Sequence, residues 1–128
     1  TLVEKPMSVR ESFLAGWLIT FLNLHVVPRG LGITTVPDGM FRMLGGNVRE
    51  PDVSFTRDDR LPDPLPRVGG WCPDLCVEVL SPDNSRAEMA AKRDEYFASG
   101  CRLMWVINPR TRTVAVYTSP ADGYELTE

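Results

Sequence analysis

A chain of 128 residues supports one domain with one hydrophobic core. Its 43% hydrophobic and 24% charged residues are those of an ordinary globular protein. The longest apolar stretch, Phe13 to Val27, is broken by Thr20, Asn23 and His25, which excludes a membrane span. The same stretch lacks the basic flank and small-residue cleavage site of a signal peptide. A formal charge of −3 and a pI of about 5.2, with no run of like charge, count against strong non-specific DNA binding by a monomer. They leave room for a local basic rim. Three cysteines, an odd number, argue against a disulfide scaffold and for a reducing, cytoplasmic compartment. Cys72, Cys76 and Cys101 with the lone His25 do not have the spacing of a usual zinc site. Cys76 and Cys101 are expected as small core residues.

Thr1 to Pro6 shows no periodicity and no initiating methionine, so the chain is expected to begin inside a longer protein. Ser8 and Glu11 form a capping box, and helix one is expected from about Val9 to Val26. Phe13, Leu14, Trp17, Leu18, Phe21, Leu22 and His25 make one broad apolar stripe on it. His25 at its end is expected to be half-buried rather than a ligand. Pro28-Arg29-Gly30 stops the helix. Gly32–Val36 and Met40–Leu44, parted by Pro37-Asp38-Gly39, are expected to pair as a hairpin. Val48 to Thr56 follows as a third extended segment, with Val53 and Phe55 on one face and Asp52, Ser54 and Thr56 on the other.

Arg57 to Gly70 is rich in proline and charge and is expected to be a mobile loop, a cover for a site or a plain insertion. Leu75 to Leu80 is a continuous apolar run interrupted only by Glu78, which predicts a strand buried on both faces. Ser85 and Glu88 form a second capping box, and helix two is expected from about Arg86 to Ser99, with Gly100 as its stop. Leu103–Ile107 is another buried strand, Asn108 to Arg112 a turn, and Thr113–Thr118 a hairpin strand. Tyr124 to Thr127 has the composition of a further strand. The order predicts an α/β domain, a mixed central sheet flanked by helices, in which a crossover through helix two makes strands 75–80 and 103–107 parallel.

Glu78 carries the most information. A carboxylate in a doubly buried strand costs several kcal/mol if left charged and unpaired. A metal ion, a lysine or a hydrogen-bond network would offset that, and an internal ion pair with arginine or an edge strand facing water is the plainer account. Asp52 alone is weak, since Pro-Asp is common at strand entries; it gains interest if the third extended segment lies beside Glu78. Two carboxylates with waters and a backbone carbonyl suit a hard octahedral cation such as magnesium. Lys92 shares a helix face with Met89 and Tyr96, and that face should pack on the sheet. Lys92 then points toward the strand of Glu78, or its stem merely covers apolar surface.

Pro51-Asp52, Val77-Glu78-Val79-Leu80-Ser81-Pro82, Lys92-Arg93-Asp94-Glu95-Tyr96, Gly100 and Trp105-Val106-Ile107-Asn108-Pro109 together resemble a bacterial family of restriction-endonuclease-like proteins, abundant in cyanobacteria and belonging to the PD-(D/E)XK nuclease superfamily. The resemblance spans roughly residues 8 to 118. It implies a restriction-endonuclease-like fold and a metal-dependent endonuclease in which Asp52, Glu78 and the carbonyl of Val79 hold Mg2+ or Mn2+. The superfamily's lysine normally stands two residues after the glutamate, where this chain has Leu80. In the resembled family it lies on the following helix, at Lys92. The resemblance further implies a nucleic-acid substrate, DNA in the first place, a homodimer, and additional terminal strands that this chain lacks. Arg49, Arg86 and Arg93 are candidate phosphate contacts, each also explained as solvated surface.

Two other functions compete. A non-catalytic binding or oligomerisation module of the same fold would show a misplaced Lys92, or Asp52 and Glu78 too far apart to share an ion. A small-molecule metal hydrolase would show a closed pocket. Glu78→Ala is expected to abolish cleavage and leave the fold intact or more stable.

Overall fold

The structure, a computed structural model, describes residues 7 to 127. Helix α1 runs Val9–Arg29. Ser8 holds the extended backbone of a cap, but its hydroxyl makes no capping hydrogen bond, and Glu11 is buried. The expected capping box is therefore not formed. The helix outlasts the expected end at Val26 because Pro28 is taken into its last turn and Gly30 makes the stop. Gly30 is left-handed at φ 59°, which places its N–H 3.2 Å from the carbonyl of Val27 and the N–H of Leu31 3.2 Å from that of Val26.

Six strands form one sheet in the order β1 (Gly32–Thr35), β4 (Val53–Arg57), β5 (Leu75–Val79), β6 (Leu103–Asn108), β7 (Thr113–Tyr117) and β8 (Gly123–Leu126). Strands β5 and β6 are parallel and are joined through α2 (Arg86–Ala98); the other neighbours are antiparallel. This is the mixed α/β architecture that the order of elements predicts. The cap of α2 forms as expected, with the N–H of Glu88 donating to Ser85 Oγ at 3.0 Å. Alternate residues of β5 feed two cores. Leu75 and Val77 pack with Ala15, Val53 and Ile19 on the α1 side, while Cys76 packs with Tyr96, Cys72 and Met104 on the α2 side. All five residues of β5 are buried, so it is the doubly covered strand that its apolar run implied.

The expected hairpin and the single third strand are both overturned. Gly32–Val36 and Met40–Leu44 do not pair. β1 lies on β4, with Ile33 opposite Thr56, and the hydroxyls of Thr35 and Ser54 join them. The tight turn does form, through Gly39 N–H to the Val36 carbonyl at 2.9 Å. The chain then leaves the sheet, and β2 (Phe41–Arg42) pairs instead with β3 (Val48–Arg49). The cause is Phe41, which is buried in the α2-side core against Gly69; a side chain at Gly69 would stand 2.7 Å from its ring. The third extended segment is consequently two short strands, β3 and β4, broken at Glu50 to Asp52.

The loop from Arg57 to Gly70 is anchored as well. It opens with a 3₁₀ turn at Asp58–Arg60, and Arg60 donates to the carbonyl of Cys72 at 2.9 Å and pairs with Asp74 at 2.8 Å. Gly69 bonds both Met40 and Arg42 through its backbone.

The apolar stripe of α1 is cut lengthwise. Ala15 and Val26 are buried and Leu18, Ile19 and Leu22 half-buried, whereas Phe13, Trp17 and Phe21 are 62%, 52% and 61% exposed. Close approach of helix to sheet runs through Ala15, and bulky rings there would hold the helix off. The rings instead pack on one another, Trp17 stacked on Phe21 with centroids 5.8 Å apart. His25 is exposed rather than half-buried.

Candidate active site

Strand pairing brings the two carboxylates together. Val53 lies opposite Val77 in the antiparallel β4–β5 pair, and the register continued by one residue sets Asp52 opposite Glu78. Opposed residues of an antiparallel pair share a face, here the α2 side. Pro51 is fully buried and ends the preceding segment, so Asp52 enters at a fixed point. Its Oδ2 accepts the N–H of Val79 at 2.7 Å, a bond that ties the aspartate to the residue after Glu78. Asp52 is half-buried and Glu78 is 5% exposed.

α2 supplies the third group. Ser85 starts the helix and its apolar face, with Met89 and Tyr96, packs on β5 and β6. Lys92 lies on that face, and its Nζ donates to Glu78 Oε1 at 2.9 Å. Tyr96, one turn on, donates its hydroxyl to Glu78 Oε2 at 2.8 Å. Both oxygens of Glu78 are thus held, one by a cation and one by a neutral donor. The buried charge is offset by the lysine. The part played by Tyr96 was not foreseen; its position one turn beyond Lys92 on the same helix face was the available signal.

The arginines divide. Arg49 is 8% exposed and its Nε donates to Glu95 at 2.6 Å, a bond that Asn47 supports at 2.7 Å, so it braces α2 rather than meeting solvent. Arg93 lies over the Tyr117 ring at 4.5 Å. Arg86 is exposed at the start of α2. Burial raises the carboxyl of Glu95, but the hydrogen bonds from Arg49 and Asn47 and the charges of Arg49 and Lys92 outweigh it and hold that group below its ordinary value. Glu95 therefore stays anionic beside the site.

An apolar hollow of about 380 Å3 lies elsewhere, on the α1 side of the sheet, lined by Leu18, Trp105, Ile107, Val116, Tyr124 and Leu126 among others. It includes none of Asp52, Glu78 and Lys92. The carboxylates stand at the end of β5, beside the exposed loop from Pro82 to Ser85.

The groups that could hold a metal here are hard oxygens: the two carboxylates and the carbonyl of Val79. Such a set fits magnesium or manganese and does not suit a soft metal. Asp52 is pre-positioned through its Oδ2, and Glu78 is held by its two donors.

A family model described as "Uma2: Putative restriction endonuclease" matches residues 1–128. Among solved structures, the chain resembles a protein from Anabaena variabilis described as a "putative nuclease belonging to DUF820". The TM-score is 0.89 at 22% identity, over 100% of this chain and 73% of that one. At that identity the likeness establishes the fold. No curated protein matches the chain.

Proposed function

This chain belongs to the Uma2 family of restriction-endonuclease-like proteins, and on that premise we propose that it hydrolyses phosphodiester bonds of nucleic acid, DNA in the first place, at the site built from Asp52, Glu78 and Lys92. The observation that carries the proposal is the buried contact of Lys92 with Glu78 at 2.9 Å, beside the aspartate that strand pairing sets opposite. It supports a catalytic reading over a non-catalytic module, for which a lysine turned away from the carboxylates would be expected.

Asp52, Glu78 and the carbonyl of Val79 are the residues that would hold Mg2+ or Mn2+. When bound, such an ion lowers the pKa of a water and offsets charge on the scissile phosphate. The chain's own residues do the rest. Asp52, fixed by the Val79 N–H, and Glu78, fixed by Tyr96, keep two anionic oxygens aligned at the end of β5. Lys92 supplies a fixed positive charge at Glu78, placed to orient an attacking water and to stabilise charge developing on the phosphate. Its position on the helix, rather than at Leu80 just past the end of β5, leaves that role to α2.

The same proposal covers assembly. The ring face of α1, with Phe13, Trp17 and Phe21 uncovered, is the surface on which a second copy would pack.

The test is cleavage of circular double-stranded DNA, circular single-stranded DNA and RNA with Mg2+ or Mn2+, by the wild type, Asp52→Asn and Lys92→Met. Metal-dependent cutting by the wild type that both variants lose is expected. Absence of cutting on every substrate would return the chain to the non-catalytic reading, and equal cutting by Asp52→Asn would remove Asp52 from the site.

A further inference from the structure

Sequence spacing gives no reason to group the three cysteines, yet the fold brings them together. Cys72 precedes β5, Cys76 lies on it, and Cys101 sits between α2 and β6. Their sulfurs all lie within 4.8 Å of one another, with Cys72 and Cys76 at 4.0 Å. The residues are 1%, 0% and 6% exposed. No disulfide joins them.

We propose that Cys72, Cys76 and Cys101 form a second metal site, which takes one soft divalent cation of the zinc type through three sulfurs. Sulfurs at the corners of a triangle with sides of about 4.0 Å stand about 2.3 Å from its centre, the length of a zinc–thiolate bond. The observed separations reach that triangle by movements of a few tenths of an ångström. The donor set is all sulfur, which selects a soft ion and separates this site from the oxygen site at Asp52 and Glu78.

The carboxylate of Asp74, two residues after Cys72, does not compete. Asp74 is turned to the N–H of Arg57 at 2.8 Å and to Arg60 at 2.8 Å. Arg60 in turn donates to the carbonyl of Cys72 at 2.9 Å, so a guanidinium borders the cluster. Three thiolates around a divalent ion leave one net negative charge, the smallest that this donor set allows with a divalent ion. A monovalent ion would leave two. The thiols already share charge unequally. Hydrogen bonds from Cys72 and Cys76 bring Cys101 down to about 4, and the bond with Cys101 pushes Cys72 up to about 12. Ion binding displaces the remaining thiol protons to solvent, so affinity rises with pH.

Cadmium is the probe, because sulfur-to-cadmium charge transfer absorbs in the ultraviolet. The reduced full chain is titrated with Cd2+ and absorbance, thermal unfolding and alkylation of the thiols are followed. One equivalent should produce the band, raise Tm and protect the cysteines, and zinc should displace the cadmium with loss of the band. Cys72→Ala and Cys101→Ala should each lose the band, while Asp52→Asn and Glu78→Gln keep it. Circular dichroism establishes that each variant is folded, and the wild-type stoichiometry is informative whatever the variants do. No band at one equivalent in the wild type, or a band that survives in both cysteine variants, would overturn the proposal.

Discussion

Lys92 Nζ stands 2.9 Å from Glu78 Oε1, and the two side chains are only 13% and 6% exposed. This ion pair fastens α2 to the central strand, and it changes what removal of the glutamate should do. Glu78→Ala would remove the buried carboxylate to which the ammonium of Lys92 and the hydroxyl of Tyr96 both donate. Breaking a buried pair in this way costs about 3–5 kcal/mol. Glu78→Gln keeps an acceptor for Lys92 and Tyr96 and should cost distinctly less. Urea denaturation of the two variants measures the difference. An unchanged or higher midpoint for Glu78→Ala would mean that removing the buried charge leaves the fold intact or more stable, as the sequence alone suggests.

Lys92→Met separates the catalytic part proposed for the lysine from its structural part. Losing a charge that acts in the transition state lowers the cleavage rate by about 10²-fold or more. It also takes away the charge that Lys92 brings to Glu78 Oε1 in the metal-free protein. Added Mn2+ then has more to offset, so its rise in Tm should be larger for Lys92→Met than for the wild type. Thermal scans with and without Mn2+ check this, and a smaller rise in the variant would count against Glu78 as a ligand.

Glu95 gives a pH dependence. Burial raises its carboxyl, but Arg49 and Asn47 together hold it below the ordinary glutamate value of about 4.5. A folded-state pKa lower than the unfolded one contributes stability that is present above the unfolded value and lost as pH falls through the folded value. Wild type should therefore exceed Glu95→Gln in stability at neutral pH, by roughly 1 kcal/mol for a partly buried pair. The gap should close in acid. Urea midpoints of both proteins across this range report it; a gap that widens as pH falls would reverse the sign.

Trp17 is 52% exposed and packs mainly on Phe13 and Phe21. Trp17→Ser should leave the unfolding free energy of the monomer within about 0.5 kcal/mol, as expected for a surface site. If the ring face of α1 joins two copies, the same change should shift sedimentation velocity from dimer to monomer. An identical distribution for both proteins would remove this face as the interface.

The site was more legible in the sequence than the path of the chain around it. Glu78 is conspicuous as the one charge in a continuous apolar run, and the face shared by Met89, Lys92 and Tyr96 aims the lysine at that run. What could not be read was non-local. The Pro37–Gly39 turn promised a hairpin, but a turn signal says nothing of the distant β4, which takes β1 as its partner, nor of Gly69, which receives Phe41. The stripe on α1 marked which residues are apolar, not which edge of it the sheet would accept. Ala15 decides that, by allowing close approach. The cysteines are close only because β5 and the end of α2 converge, an arrangement that their spacing does not encode.

The most direct test of the central claim, that Asp52 and Glu78 share one divalent cation, is calorimetric titration with Mn2+ of the wild type against Asp52→Asn. The account predicts binding by the wild type that the variant loses while its fold, by circular dichroism, is unchanged. Binding of equal strength by Asp52→Asn, or none by the wild type, would contradict it.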